Sequence, residues 1–141
     1  MAYIVVGDEE WTIDHNCKVL GKAAEGEQDM LIPVVGFDPG TLLIGEQLTT
    51  GDGSTAPVEY LAEILYQLSE RGLASSVTRI DFSDIKSVKF SYGGKYSVIL
   101  GSYSEVEYKF GMFVSVMEQL KAGDVGIINL SDTSSAHFSP N

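Results

Sequence analysis

Between Val77 and Leu130 the apolar residues change period twice, and few folds accommodate that order. Ile80 and Phe82 alternate with Arg79 and Asp81. Val88, Phe90 and Tyr92 share one side of a second run, and Tyr96, Val98 and Leu100 line a third. A period of two sets side chains on one face of a sheet. From Val106 the spacing becomes helical, with Val106, Phe110, Phe113, Val114, Met117 and Leu120 forming a stripe before Gly123-Asp124 stops it. Residues 125–130 then read as another strand. Ser104 is expected to start this helix, with Glu107 completing a capping box.

The turn at Gly93-Gly94 fixes a register. A two-residue loop would oppose Phe90 to Ser97 and Lys89 to Val98, mixing apolar and polar faces. A three-residue loop over 93–95 opposes Tyr92 to Tyr96, Phe90 to Val98 and Val88 to Leu100, and keeps one face apolar. The second register is expected.

An earlier helix is equally legible. Pro57 suits a first turn, where its missing N–H costs nothing. Val58, Leu61, Ala62, Ile64, Leu65 and Leu68 follow at helical spacing, and Arg71-Gly72 ends the run. Upstream, Tyr3-Ile4-Val5-Val6, Trp11 with Ile13, and Val19-Leu20 read as short strands, and residues 21–29 as an exposed loop. Leu31 to Gly36 reads as a strand that Pro33 confines to an edge or a strand start. Residues 37–50 are ambiguous, since Leu42, Leu43, Ile44 and Leu48 suit a short helix or a turn. Residues 133–141 read as a polar tail or a short edge strand. The 141 residues make one domain, expected to be α+β, with a mostly antiparallel sheet and two main helices on one face. The expected core is Leu61, Leu65, Leu68, Ile80, Phe82, Val88, Phe90, Val98, Leu100, Phe110, Phe113, Val114 and Met117.

Charge narrows the function. Nine Lys and Arg stand against 20 Asp and Glu, a net of −11, which argues against a nucleic-acid footprint. Residues 1–76 carry 13 acids and 3 bases, whereas residues 77–121 carry 5 acids and 6 bases. The first half is a solvated acidic face that favours partners with basic segments. One cysteine, Cys17, excludes an internal disulfide and a cysteine-based zinc site. No apolar run reaches the ~20 residues that span a bilayer.

No catalytic constellation stands out. His15 and His137 lie near opposite ends, and a metal pair of His15 with Cys17 would need two more ligands. Asp8, Glu9 and Glu10 read as turn acids. Gly36 to Gly40 lacks the lysine of a phosphate loop, and no Gly-x-Ser-x-Gly elbow is present. Asp81 and Asp84 read as punctuation between strands. The expectation is a protein that is not an enzyme, has no cofactor or metal, and recognises partners through a face or a sheet edge.

Ordered along the chain, Leu31-Ile32-Pro33-Val34-Val35-Gly36, the strand at 77–83, Leu100-Gly101 followed by Lys109, and Gly126-Ile127-Ile128-Asn129-Leu130 resemble the extracytoplasmic β domain of the bacterial cell-division family FtsQ/DivIB. The first is close to the family's LPVxxG strand. The last matches its GxIDL strand, with Asn129 where Asp is usual. The resemblance implies a non-catalytic divisome scaffold on the extracytoplasmic face of the cell membrane. It also implies that the chain is the C-terminal part of a single-pass protein whose transmembrane helix and POTRA domain precede it. It implies binding of FtsB/DivIC-type and FtsL-type division proteins by strand addition at the C-terminal sheet edge. In this sequence that edge is Ile128, Leu130, Ser131, Thr133, Ser134, Ser135, Ala136, His137 and Phe138, with the last strand near 134–138. The alternative reading is a small-ligand-binding domain that uses the 37–56 loop as a lid.

Overall fold

A computed structural model describes residues 2–6, 8–23, 31–121 and 123–140. Strands β1 (Ala2–Val6), β2 (Glu9–Ile13), β3 (Val19–Lys22) and β4 (Ile32–Val35) precede helix α1 (Ala56–Glu70). After a 3₁₀ turn at Ala74–Ser76 come β5 (Val77–Asp81), β6 (Val88–Tyr92), β7 (Tyr96–Gly101), helix α2 (Val106–Gln119), β8 (Gly126–Asn129) and β9 (His137–Pro140). All nine strands form one sheet in the order β3-β2-β1-β4-β5-β6-β7-β8-β9. The pairs β1–β4, β4–β5 and β7–β8 are parallel and the other five antiparallel. A parallel pair needs a crossover, and α1 and α2 supply it between β4 and β5 and between β7 and β8. The α+β class with a mostly antiparallel sheet and two helices is as the periodicity predicts.

One register row explains where the core lies. Trp11, Ile4, Val34, Ile80, Phe90, Val98, Ile128 and Phe138 stand side by side across eight strands. The helices cover this row. Phe90 stacks on Phe110 at 5.8 Å between ring centroids and meets Phe113 edge-on at 5.5 Å. Tyr60 of α1 meets Phe82 edge-on at 5.7 Å, and its hydroxyl donates to the Gly101 carbonyl at 3.0 Å. Burial of these aromatic surfaces is the main favourable term of the fold.

Helix α1 ends as its sequence suggests. Gly72 takes the left-handed conformation, with φ of 68°, and the Leu73 N–H reaches back to the Leu68 carbonyl at 2.9 Å. Those two features define a Schellman closure. The three-residue loop at 93–95 is present, with Tyr92 opposite Tyr96 and Phe90 opposite Val98. Val88 faces Gly101 instead of Leu100, because the ladder is irregular between Val88 and Lys89 and one residue slips there.

Several expectations are corrected. The strand expected at 77–83 ends at Asp81, the run of Val88, Phe90 and Tyr92 forms Val88–Tyr92, and the strand expected at 125–130 covers Gly126–Asn129. Pro33 lies in an interior strand and is registered with Tyr3 of β1. Val35 O accepts from the Phe82 N–H on the β5 side, so by alternation Pro33 also turns toward β5, whose register stops at Val34 and Val35, and its absent N–H breaks no rung. Helix α2 has no capping box. Its N-cap is Glu105, left-handed at φ 49°, without a side-chain cap bond. Val114 and Met117 are only partly buried, whereas Lys109, outside the expected core, is buried. Gly21 and Lys22 belong to β3 and not to a loop, while positions 24–29 of the expected loop lie outside the described residues. Residues 37–50 form no helix; Pro39 bridges Thr50, and Leu43 and Ile44 are exposed at a turn.

Candidate functional site

The two ends of the sheet differ. At the first, segment 45–48 meets the start of β3: the Val19 N–H donates to Glu46 O at 2.9 Å and the Gly45 N–H donates to Val19 O at 2.8 Å. At the second, β9 is the terminal strand among the described residues, and no backbone partner lies beyond it.

Which groups of β9 face outward follows from β8. The Gly126 N–H donates to Lys95 O at 3.1 Å and the Leu130 N–H to Ile99 O at 2.8 Å, both on the β7 side. Backbone groups alternate sides along a strand, so Ile127 and Asn129 turn theirs toward β9. Their partners Ser139 and His137 face back toward β8. Phe138 and Pro140 therefore direct their backbone groups outward. Proline has no N–H, so within β9 the one outward donor is that of Phe138, flanked by the carbonyls of Phe138 and Pro140.

Two contacts hold β9 in this register. The Phe138 ring meets Tyr96 edge-on at 6.2 Å. Gly126 lies beneath the strand: a Cβ there would run into the Ser139 carbonyl oxygen and come within 2.9 Å of Pro140 Cα. The intervening turn is built from short polar side chains. Asn129 Oδ1 accepts from the Ser131 N–H at 2.9 Å and Oγ at 2.6 Å, and Asp132 Oδ1 accepts from Ser134 in the same way. Those Ser134 bonds, with the charge of His137 nearby, hold the Asp132 carboxyl below its ordinary range.

Of the residues expected at the edge, Ile128 and Leu130 are fully buried, so their side chains belong to the core and not to a contact surface. Ser131, Thr133, Ser134 and Ser135 lie in the turn, and the Ser135 N–H is spent on Asp132 O at 3.2 Å. Ala136 directly precedes β9, and His137 and Phe138 lie in it. The strand starts three residues later than the expected 134–138, because the turn with its Asp132–Ser134 bonds extends into that stretch. Ser139 and Pro140 are edge residues that the sequence reading missed; the Asp132-x-Ser134 spacing was the available signal for a longer turn.

The lid of the alternative reading borders a cleft of about 340 Å³ lined by Gly36, Phe37, Asp38, Thr50, Asp52, Ser54, Pro57, Phe82, Ser83 and Ile85. Its polar groups serve one another. Asp52 Oδ1 accepts from Thr50 Oγ1 at 2.9 Å and from the Ser54 N–H and Oγ at 2.9 and 2.6 Å. These bonds lower the Asp52 pKa to about 2. Elsewhere, Asp81 and Asp84 accept the N–H groups of Ser83 and Lys86 as turn formers. Cys17 is buried, with its pKa pushed up to about 12 by desolvation and by Asp14, while His15 is exposed, so the two do not converge as ligands. Among the described residues no three His, Cys, Asp or Glu side chains group closely enough to hold a metal, and no helix is long and apolar enough to cross a membrane. Compared with known proteins, the chain matches no family model and no curated protein.

Proposed function

We propose that this chain is a non-catalytic, extracytoplasmic interaction domain of the FtsQ/DivIB kind. It would recruit FtsB/DivIC-type and FtsL-type division proteins by adding a partner strand to β9. The observation that supports this reading is the asymmetry of the sheet: segment 45–48 is bonded to Val19 at the start of the β3 edge, whereas no strand lies beyond β9 among the described residues. An open edge offers backbone groups to an extended segment, and side chains at alternate positions select it. Pro140 limits the register. The docked strand centres on Phe138, the one residue of β9 with both an outward N–H and an outward C=O.

The test is calorimetric titration with the extracytoplasmic segment of an FtsB/DivIC-type protein from the same genome. Phe138→Pro removes the outward donor and should abolish binding, whereas Phe138→Leu keeps it and should bind. Equal binding by both variants, each shown to be folded, would move the site off this edge. Ser135→Pro is a poorer probe, since Ser135 N–H already serves the turn. The cleft beside Asp38 and Asp52 supports a second reading, a small-ligand domain, but its hydroxyls and Asp52 carboxylate are already engaged with each other.

A further inference from the structure

The face of the sheet turned away from the helices carries an uneven charge. On β5 to β8 and the 93–95 turn the charged residues are Arg79, Asp81, Lys89 and Lys95, three cations against one carboxylate in a chain of net −11. Asp81 stands opposite Lys89, and Arg79 opposite Ser91. The row continues from Ser91 to Ser97 and on to Ile127. The two serines are small, so a trough runs across four strands. It includes a hollow of about 530 Å³ bordered by Thr78, Lys95, Val125 and Ile127, which shares Ser91 and Ser97 with a recess of about 110 Å³ beside Arg79, Asp81 and Lys89.

Asp81 is the one carboxylate among these residues, and Arg79 and Lys89 both act on it electrostatically. Among the described residues the ion pair within 4.0 Å is Lys22 with Glu9, at the far end of the sheet, so Arg79, Lys89 and Lys95 make none. Asp81 spends one oxygen on the Ser83 N–H at 2.8 Å. At the other end of the trough Val125 and Ile127 are 42% and 40% exposed. Four strands spaced ~4.8 Å apart make the trough about 14 Å long, the reach of about four or five extended residues at ~3.4 Å each.

We propose that this trough binds an acidic peptide segment of a partner protein, about four or five residues long, with carboxylates at Arg79 and Lys89 and an apolar side chain over Val125 and Ile127. Charge complementarity selects the acidic end. A nucleic acid or polyphosphate would satisfy the cations but leave Val125 and Ile127 uncovered, and its dense charge would meet the field of a −11 chain. The site is separate from β9 and does not rest on the function proposed above.

The test uses the full chain, isotope-labelled for NMR, at about 50 mM salt. Three probes are titrated: the end-blocked pentapeptide Leu-Ser-Asp-Glu-Asp, its neutral counterpart Leu-Ser-Asn-Gln-Asn, and an oligothymidylate. The acidic peptide should shift the amides of Arg79, Lys89, Ser91, Ser97 and Ile127, leave Phe138 unmoved, and weaken severalfold at about 300 mM salt. Arg79→Gln combined with Lys89→Gln should weaken it at least about fivefold. Ser97→Trp keeps every cation, fills the trough, and should also lose binding. Equal shifts from the neutral peptide, tighter binding of the oligothymidylate, unchanged binding by either folded variant, or no shifts at about 5 mM peptide would each overturn the proposal. None of these results bears on the β9 edge, whose own test is binding by Phe138→Pro.

Discussion

Gly126 and Ser139 lie so close across the β8–β9 ladder that a single methyl group on Gly126 would collide with the Ser139 carbonyl. The edge strand therefore depends on one missing side chain in its neighbour. Gly126→Val should lift β9 from the sheet at a cost of roughly 1–3 kcal/mol, the usual range for overpacking. In NMR spectra of this variant the Phe138 and Tyr96 rings should no longer be neighbours, while Phe90, Phe110 and Phe113 stay packed. A variant whose Phe138 and Tyr96 rings still touch would show that β9 is held elsewhere.

Phe113 is fully buried and touches both Phe90 and Tyr92 edge-on. Phe113→Ala should lower stability by about 3–5 kcal/mol in urea unfolding. A loss under about 1 kcal/mol would remove Phe113 from the core.

Lys109 is buried, and its ammonium donates to the Ser102 carbonyl at 2.9 Å. Desolvation lowers its pKa from the ordinary 10.5, against the opposing pull of Glu105. A lysine pKa lowered in the folded state means that the unfolded chain holds the proton to higher pH, so stability rises with pH between the two values. Wild type should therefore gain on Lys109→Met as pH climbs toward about 10. Parallel pH profiles for the two proteins would show that Lys109 is not desolvated.

Asp52 works in the opposite direction. Its carboxylate is favoured in the folded state by Ser54 and Thr50, which lowers its pKa from 3.8 to about 2. The contribution is complete above pH 3.8 and is lost as pH falls through about 2. Asp52→Asn should lose this contribution at neutral pH and flatten this part of the acid limb of thermal stability, the two proteins converging as pH falls through about 2. An identical acid limb would remove the Asp52 turn as its cause.

Much of the fold is written in local patterning. The Gly93-Gly94 register could be read because only one loop length keeps Phe90 and Val98 on a common face. Features set by distant groups could not. Lys109 lies outside the apolar stripe of the sequence, yet it is buried with its ammonium on the Ser102 carbonyl. Pro33 reads as an edge residue until the short reach of β5 is known. Ser104 reads as a cap until Glu105 is found turning the chain in a left-handed conformation. For the candidate site, the sheet edge and Phe138 were legible, but the exact strand was not, since turn length depends on side-chain bonds such as Ser134 to Asp132 that compete with strand pairing.

The central claim is that a partner strand pairs with the outward backbone of Phe138. Amide hydrogen exchange of the chain, alone and saturated with the extracytoplasmic FtsB/DivIC-type segment, tests it residue by residue. The Phe138 amide should exchange quickly in the free chain and slow by at least about tenfold in the complex, while His137 and Ser139, already turned toward β8, should change little. A Phe138 amide that exchanges equally fast in the saturated complex would contradict strand addition at this edge.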